Sequence, residues 1–519
     1  AFTNDNGIAA RTIPRESSNE IEVCATCHSR RGTLRSGAGA KASFLDYHMP
    51  AFLTEPLYHV DGQIRDEVYV WGSFLQSKMH QKGVTCSDCH DPHSGNLRVA
   101  GDDICATCHL PERFATTSHH GHSEESAGAD CLACHMPTET YMVVDPRRDH
   151  SLRPPRPDLS LLYGTPNACN QCHDGESVKW AADAFSKMFP DASRPFQHWT
   201  GAFRQARENK PQAEVSLLRV IEADGTPDLV RATALIELTD QMGPLSRSVL
   251  AKSLNDPNGL VRIAALRALE ALPPENRLVL GQSALEDPLL AVRVEAGRVL
   301  GVAPPESLPE ARRQALRDAL MEYFESQEFN ADRPESRVNL GNLQSQAGSR
   351  VAAESYYLKA IELDGNFTPA YLNLADLYRS MQREADAVQV LTDGLDRQPK
   401  DAALHHAMGL ALVRTGQLEP ALSSLEKAVE LDPLAIRYAY VLGIAHHSTG
   451  NTDEAIDVLE TTWKLRPYDR DILYALATIE RDRGQFDIAR AWAEKLLESN
   501  PVDRAAKQLM QSIESAATQ

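Results

Sequence analysis

The chain has 519 residues, a formal net charge of −19, and 42% hydrophobic but only 6% aromatic residues. This length exceeds one ordinary domain, and the composition favours an Ala/Leu-rich helical protein over a β-sandwich. The negative charge argues against nucleic acid as a partner, and no apolar run approaches the roughly 18 residues of a transmembrane segment.

All ten cysteines lie in the first third of the chain, in five C-x-x-C pairs that are each followed at once by histidine. C-x-x-C-H is the attachment signature of c-type haem, in which two thiols bond to one haem edge and the histidine ligates the iron. The sequence therefore predicts five covalently attached haem c groups. Their thioether cysteines are Cys24, Cys27, Cys86, Cys89, Cys105, Cys108, Cys131, Cys134, Cys169 and Cys172, and their proximal ligands are His28, His90, His109, His135 and His173.

Other uses of paired cysteines fit this pattern less well. Zinc ribbons combine C-x-x-C units in even numbers and need no histidine after each unit. A thioredoxin-like dithiol has a single motif beside a βαβ pattern. Structural disulfides are compatible with the cysteine count but give no reason for the five histidines.

An iron that only transfers electrons is usually ligated on both sides. Residues 1–180 contain enough further histidines to give every iron a second imidazole. These candidate distal ligands are His48, His59, His80, His93, His119, His120, His122 and His150. His93 is too close to His90 to reach round the same haem, so we expect it to bind a neighbouring one. Methionines in this region are weaker candidates, because methionine often only fills core gaps.

Residues 1–180 are rich in Pro, Gly, Asp and Ser, with short helical turns expected around the motifs. Such a segment has too little apolar side chain for its own core. We therefore expect a loop-rich pentahaem cytochrome c domain that packs around its haems, followed by a linker helix at 181–209.

Residues 210–333 contain a repeat of 31 residues, in which Val230, Val261 and Val292 occupy the same position. Asp-Pro precedes the second and third copies. This pattern resembles that of HEAT-type helical pairs.

Residues 334–519 repeat with a period of 34, which is typical of tetratricopeptide (TPR) repeats. Three marker positions recur in step: Ala353, Ala387, Ala421, Ala455 and Ala489; Gly341, Ala375, Gly409, Gly443 and Ala477; and Gly365, Pro399, Pro433, Pro467 and Pro501. Five repeats and a capping helix at 504–517 are predicted. The predicted fold class is therefore mainly α, a haem-organised domain followed by an α-solenoid.

Several stretches resemble a bacterial family of multihaem c-type cytochromes fused to TPR repeats, distantly related to cytochrome c nitrite reductase and the hydroxylamine-pathway cytochromes. They are "GVTCSDCHDPHSG", "CHMP", "DHS", "PRPDLS" and "TPNACNQCH". The resemblance implies haem ligation by His59, His93, the "HHGH" cluster and His150. None of the five motifs replaces its histidine with lysine, which counts against nitrite reductase chemistry.

Three functions are compatible with the sequence. The first is electron transfer along five haems, with the solenoid binding redox partner proteins or assembling a homo-oligomer or head-to-tail filament. The second is reduction of a nitrogen or sulfur oxyanion at a five-coordinate haem, near Arg147 and Arg148. The third is a redox-sensing adaptor. Haem attachment outside the cytoplasm predicts a periplasmic, cell-surface or extracellular protein.

Overall fold

The structure is a computed structural model that describes residues 2–13, 15, 19–37, 42–191 and 197–518. The described chain is mainly helical, and the strands assigned within it form small two-stranded antiparallel ribbons. It divides into two compact units, Ala1–Arg207 with Ala213–Tyr323 and Glu208–Gln212 with Phe324–Gln519. The prediction of a mainly α protein is confirmed.

The motif segment consists of short elements joined by loops. Its strands are Phe2–Asp5 with Ile8–Arg11, Arg31–Thr33 with His48–Pro50, and Thr138–Tyr141 with Asp145–Arg148. Its helices are Asn19–His28, Phe44–Asp46 (3-10), Trp71–Leu75, Lys78–Gln81, Cys86–Cys89, Asp103–Ala106, Pro111–Phe114, Thr117–His120, Ala127–Ala129 (3-10), Cys131–His135, Pro157–Tyr163 and Cys169–Cys172. Helices of one or two turns cannot bury a wide apolar face, so this segment needs partners from elsewhere.

Residues 42–77 obtain those partners from the helices that follow. Phe52 and Leu53 are buried, and the Leu53 amide donates to Thr233 Oγ1 at 3.1 Å. The Leu290 amide likewise donates to Asp46 Oδ1 at 3.1 Å. This stretch therefore forms no apolar core by itself, as expected, but its partners differ from the prediction: we expected packing around haems, whereas its apolar residues pack against helices distant in sequence.

The expectation agrees with the structure in the stretch that carries most of the motifs. Between residues 78 and 140, Ile104 is the one hydrophobic side chain that is buried in the described structure. Protein atoms alone give this stretch little to pack around.

Beyond the motifs the chain is almost entirely helical up to residue 329. The helices are Val178–Met188, Thr200–Arg207, Ala213–Glu222, Asp228–Glu237, Ser246–Ser253, Gly259–Ala268, Pro274–Gly281, Leu290–Leu300 and Glu310–Phe329, with 3-10 turns at Thr239–Gln241, Leu269–Ala271, Gln282–Glu286 and Pro305–Ser307. Val230, Val261 and Val292 are fully buried at equivalent points of three of these helices. The 31-residue period therefore places the same residue type in the core each time.

An arginine follows each of these valines and links successive helices. Arg262 pairs with Asp287 through Nε and Oδ2 at 2.7 Å, and one repeat earlier Arg231 pairs with Asp256. Asp287 also accepts a hydrogen bond from the Leu289 amide at 2.9 Å, near the start of the next helix. The Asp-Pro signal in the sequence thus marks a carboxylate that both orders the turn and binds the preceding repeat.

The second unit contains five helical pairs and a final helix. The pairs are Pro334–Gln346 with Arg350–Leu363, Thr368–Ser380 with Glu384–Arg397, Ala402–Arg414 with Leu418–Leu431, Ile436–Ser448 with Thr452–Leu465, and Arg470–Asp482 with Phe486–Ser499; the final helix is Arg504–Ala517. A Cβ atom on Gly443 would lie 2.8 Å from Leu459 Cγ, and one on Gly409 would lie 2.6 Å from Leu425 Cγ. The small residue at this position therefore lets the two helices of a pair approach closely.

Within the described residues, no helix is both long and apolar enough to cross a bilayer.

Candidate functional site

The five C-x-x-C-H motifs share one local geometry. Each pair of cysteines lies on or beside a short helical turn, and the amides of His90, His109 and His173 donate to the carbonyl of the first cysteine of their motif at 2.8–2.9 Å. Residues three apart on a helix lie on the same face, so this turn presents both thiols to one side. In the described structure, no disulfide joins any of the ten cysteines.

Successive motifs are neighbours in space. Cys24 and Cys86, from the first and second motifs, are neighbours, and burial together with the adjacent Cys24 thiol raises the pKa of Cys86 to about 12. The Sγ atoms of Cys105 and Cys131, from the third and fourth motifs, lie within 4.8 Å of each other, and the contact with Cys105 raises the pKa of Cys131.

The pKa values of Cys89 and Cys134 show that the second motif adjoins the third and that the fourth adjoins the fifth. Burial raises the pKa of Cys89, and the nearby Asp88 and third-motif cysteines add to the effect. The pKa of Cys134 is raised by burial and by the cysteines of the fifth motif. The motifs therefore follow one another in space in the same order as in the sequence.

Three motif histidines each face an imidazole from outside the motifs. The ring centres of His90 and His150 lie 6.4 Å apart, those of His135 and His119 lie 6.1 Å apart, and those of His173 and His122 lie 6.2 Å apart. A metal–imidazole bond is about 2.0–2.1 Å long, so two rings on opposite sides of one metal ion have centres roughly 6 Å apart. The ring-centre distances of the three pairs are compatible with one metal ion between the two rings of each pair.

One member of each pair has its Nδ1 atom held by a backbone carbonyl. The bonds are His135 to Arg153 O at 2.9 Å, His150 to Arg148 O at 3.0 Å and His122 to His120 O at 2.6 Å. Donation from Nδ1 fixes the tautomer and the ring orientation and leaves Nε2 as the ligand atom. These carbonyl partners are the feature that sequence reasoning missed, because no residue type marks a backbone acceptor.

The buried imidazoles favour the neutral state that binds metal. Burial lowers the pKa of His135 and of His150, against a smaller opposing effect of their carbonyl partners. Burial and the neighbouring His135 also lower the pKa of His119. Neutral imidazole is the form that ligates iron.

Two motif histidines have different surroundings. His109 meets Phe114 edge-on at 5.3 Å between ring centres, and Phe114 meets His119 at the same distance on its other side. His28 is exposed at the end of its helix. In the part of the chain that the structure describes, neither is in ring contact with a second imidazole, so a second histidine ligand for these two motifs stays a prediction.

The remaining candidate distal ligands lie apart from the motif histidines. His48 is buried against Phe44, and burial with Arg31 nearby lowers its pKa to about 4. His80 packs on Phe74, and His59 is half-buried in a loop. His93 is exposed in a turn where its amide donates to Asp91 Oδ1. Their ligation stays a prediction.

His120 lies beside His122 rather than beside a motif histidine. Its Nδ1 atom accepts a hydrogen bond from the His122 amide at 3.2 Å, and the two ring centres are 6.4 Å apart. The three histidines of the "HHGH" cluster therefore differ in their contacts. His119 and His122 each face a motif histidine, whereas His120 accepts a hydrogen bond from the His122 amide.

The guanidinium groups near His150 are already bonded to protein. Arg147 pairs with Asp145 at 2.7 Å and with Glu67 at 3.4 Å, and Arg148 donates to Met136 O at 3.2 Å. Neither is held ready for an anionic substrate by this arrangement.

One alternative metal set occurs among the same residues. Asp102, Cys105 and Cys131 bring three ligand atoms within 4.8 Å of one another. A closed zinc site needs four ligands, and Asp102 Oδ2 already accepts a hydrogen bond from the Cys131 amide at 2.8 Å. The set is therefore a poorer match for zinc than the motifs are for haem.

Comparison with known proteins identifies the repeats of the second unit. Tetratricopeptide repeat models match residues 344–411, 406–470 and 446–513. Residues 344–513 form tetratricopeptide repeats. The sequence prediction of TPR repeats is thus confirmed, and these repeats provide a surface for protein–protein interaction or assembly. A comparison with curated proteins found no match.

Several solved TPR structures are similar to part of the chain. YrrB, a TPR protein with an unusual peptide-binding site, is 23% identical, and the match covers 36% of this chain and 95% of YrrB with a TM-score of 0.29. MamA from Desulfovibrio magneticus RS-1 is 24% identical over 30% of this chain and 88% of its own, with a TM-score of 0.25. A thermophilic TPR protein in Thermus thermophilus is 23% identical over 36% of this chain and 100% of its own, with a TM-score of 0.28.

Proposed function

We propose that the chain is a multihaem c-type cytochrome that carries electrons along five covalently bound haems, one on each C-x-x-C-H motif. The observation that carries this proposal is the pairing of His90, His135 and His173 with imidazoles from outside the motifs at 6.1–6.4 Å between ring centres. Each pair would provide two histidines to hold the iron of one haem. When bound, the haem supplies a one-electron couple.

The cysteines of successive motifs would hold the haems close together, in the order of the motifs in the sequence. Cys24 lies beside Cys86, and Cys105 lies beside Cys131, so the first motif adjoins the second and the third adjoins the fourth. Haems attached at such neighbouring thiols would lie side by side, in the arrangement that electron transfer requires. Iron held by two imidazoles has no free position for a substrate, which favours transfer over catalysis.

The TPR repeats would bring the haems of this chain close to those of another protein or of another copy of the chain. We propose that they bind a redox partner protein or join copies of the chain into a homo-oligomer or head-to-tail filament. A filament requires self-association at high concentration, so light scattering of haem-loaded protein separates the two: a strict monomer rules out the filament. We also propose that the protein lies outside the cytoplasm, in the periplasm, at the cell surface or in the medium, because haem is attached to C-x-x-C-H motifs there.

The proposal is tested on full-length protein made in a periplasm that attaches haem. We expect an intact mass of the polypeptide plus five haems and a low-spin spectrum. A variant with Cys131→Ala and Cys134→Ala should lose one haem. The bare polypeptide mass without a Soret band would refute the proposal.

The same preparation tests the two rival functions. A high-spin haem fraction that binds nitrite would favour a reductase. A protein partner that binds the TPR repeats in only one oxidation state would favour a redox-sensing adaptor. A wholly low-spin protein with oxidation-independent binding excludes both.

A further inference from the structure

A buried ion pair lies beside the fourth motif. Arg153 Nη1 is 3.3 Å from Asp61 Oδ2, and the two side chains are 5% and 1% exposed. The two residues and Cys134 line the same small cavity. A charge pair this deeply buried is costly to desolvate, so its presence calls for a role beyond stability.

Both charges are held in place by further hydrogen bonds. Arg153 Nε donates to Ser151 Oγ at 2.7 Å, and its Nη1 atom donates to the Asp61 carbonyl at 3.2 Å. The backbone N–H of Gln63 donates to Asp61 Oδ1 at 3.1 Å, and the side-chain Nε2 atom of Gln63 donates to Asp61 Oδ2 at 2.7 Å. Trp199 Nε1 donates to the Asp61 carbonyl at 3.3 Å. Neither charge can turn away to solvent.

Arg153 also contacts the proximal histidine of this motif directly. Its backbone carbonyl accepts the hydrogen bond from His135 Nδ1 at 2.9 Å. The residue whose guanidinium is neutralised by Asp61 is therefore the residue that orients the imidazole. A change in the net charge of the Arg153–Asp61 pair would therefore occur on a residue that is hydrogen-bonded to the proposed iron ligand His135.

We infer that Asp61, by neutralising Arg153, sets the reduction potential of the haem held by His135. The inference rests on the proposed haem attachment at the fourth motif. Reduction lowers the charge on the iron by one, so an unbalanced positive charge nearby favours the reduced state. A low dielectric makes the effect stronger than that of an exposed charge. Asp61 and Arg153 are positioning residues for this haem, because they act on the iron through charge and through His135.

The test is a spectroelectrochemical titration of haem-loaded, full-length protein. Asp61→Asn keeps the size of the side chain and removes its charge. We expect one haem to be reduced more readily, with at least a tenfold higher ratio of reduced to oxidised haem at a fixed ambient potential, which is about 59 mV for a one-electron couple. The remaining haems should change little.

The opposite change provides a sign test that a structural defect would not reproduce. Arg153→Met leaves Asp61 as an unbalanced negative charge while retaining the backbone carbonyl for His135. Its affected haem should become harder to reduce. The double variant Asp61→Asn with Arg153→Met should return towards the wild-type potential, and it serves if either single variant does not fold.

The matched control is Asp183→Asn, which removes the exposed carboxylate of a pair in which the Lys179 and Asp183 side chains are 69% and 64% exposed. Its haem potentials should stay at the wild-type values. The inference is overturned if Asp61→Asn, with all haems attached and low-spin by electron paramagnetic resonance, titrates like Asp183→Asn. A wild-type protein that carries no haem would overturn both this inference and the proposed function, so the two failures are distinguishable.

Discussion

The imidazole rings of His119 and His135 lie 6.1 Å apart between centres, with their planes inclined by only 17°. His119 lies in the short helix Thr117–His120, which precedes the fourth motif, and His135 is the last residue of that motif's helix. Both residues are partly buried, and the hydrogen bond from His135 Nδ1 to Arg153 O leaves His135 Nε2 as the atom that could bind a metal ion. Under the proposed function, the two rings would ligate one iron.

Removing the distal ring of this pair should open one coordination position. In haem-loaded His119→Gly, we expect a high-spin signal from one of the five haems, since glycine leaves no replacement ligand. Electron paramagnetic resonance and the visible spectrum measure the change. Added imidazole should restore the low-spin state by filling the vacated position.

Ser118→Gly is the matched control for this prediction, because Ser118 is an exposed residue next to His119 in the same short helix. We expect it to stay fully low-spin. A high-spin signal in Ser118→Gly together with none in His119→Gly would contradict the assignment of His119.

Close helix packing in the TPR repeats should make Gly443 intolerant of a larger side chain. A Cβ atom there would lie 2.8–3.1 Å from three atoms of the Leu459 side chain. Gly443→Val should therefore lower the free energy of unfolding of this repeat by about 1–3 kcal/mol through overpacking. Hydrogen exchange in helix Ile436–Ser448 measures the loss.

Ser448→Val places the same side chain at the exposed end of the same helix. Its exchange should stay near that of the wild type. Equal effects of the two substitutions would mean that valine's helix propensity, and not packing against Leu459, determines the outcome.

Glu295 should make the helical repeats of the first unit sensitive to acid. Burial would raise the pKa of Glu295, but the guanidinium groups of Arg267 and Arg298 outweigh burial and hold its pKa below the usual range. The stabilisation is therefore fully present above the unfolded-state pKa of about 4.3 and is lost as the pH falls through the lower folded-state value.

Glu295→Gln should remove this dependence and lower the free energy of unfolding by about 1–3 kcal/mol at neutral pH, because two arginines lose their carboxylate. Hydrogen exchange in helix Leu290–Leu300, corrected for the effect of pH on the intrinsic rate, measures both changes. The exposed Glu306→Gln is the control and should behave as the wild type. An acid dependence that persists unchanged in Glu295→Gln would refute this role.

His406 should make the third TPR repeat less stable in mild acid. Burial and the nearby Arg437 lower its pKa from 6.5 to about 4. Its ring packs on Tyr438 at 4.6 Å between centres, and neither ring nitrogen has a hydrogen-bond partner in the described structure. Between pH 6.5 and about 4, His406 is protonated in the unfolded chain but stays neutral in the folded repeat. The free energy of unfolding therefore falls as the pH falls.

His406→Leu should abolish this loss, which we expect to reach about 2 kcal/mol in the wild type. Hydrogen exchange in helix Ala402–Arg414 at pH 7 and pH 4 measures it. The neighbouring His405→Leu is the control, since the His405 ring instead contacts Pro399 O at 2.9 Å. If His406→Leu keeps the acid dependence of the wild type, another group is responsible.

Local sequence spacing was enough to predict the repeats and the attachment motifs. A period of 34 residues places Gly341, Gly409 and Gly443 at the same close approach, and a period of 31 places Val230 and its equivalents in the core. Both periods can be recognised in the sequence because each repeat packs against its sequence neighbours and needs the same residue types at the same positions. The cysteine pairs are likewise local, since three residues of one turn bring both thiols to the same face.

The distal ligands and the ion pair were a different matter. Residues 1–180 contain more candidate distal histidines than C-x-x-C-H motifs, and only the folded chain sets His119 against His135 and His122 against His173. Composition also gave no sign that residues 42–77 would bury their apolar side chains on helices far along the chain, as Leu53 and Thr233 show.

The sequence by itself determined where the C-x-x-C-H motifs and the TPR repeats lie, because both depend on residues close together in the chain. Only the tertiary structure decided which histidines face one another and that Asp61 neutralises Arg153. Those relationships depend on loops that bring distant residues together, and loop paths are set by long-range packing and backbone hydrogen bonds that no local pattern encodes.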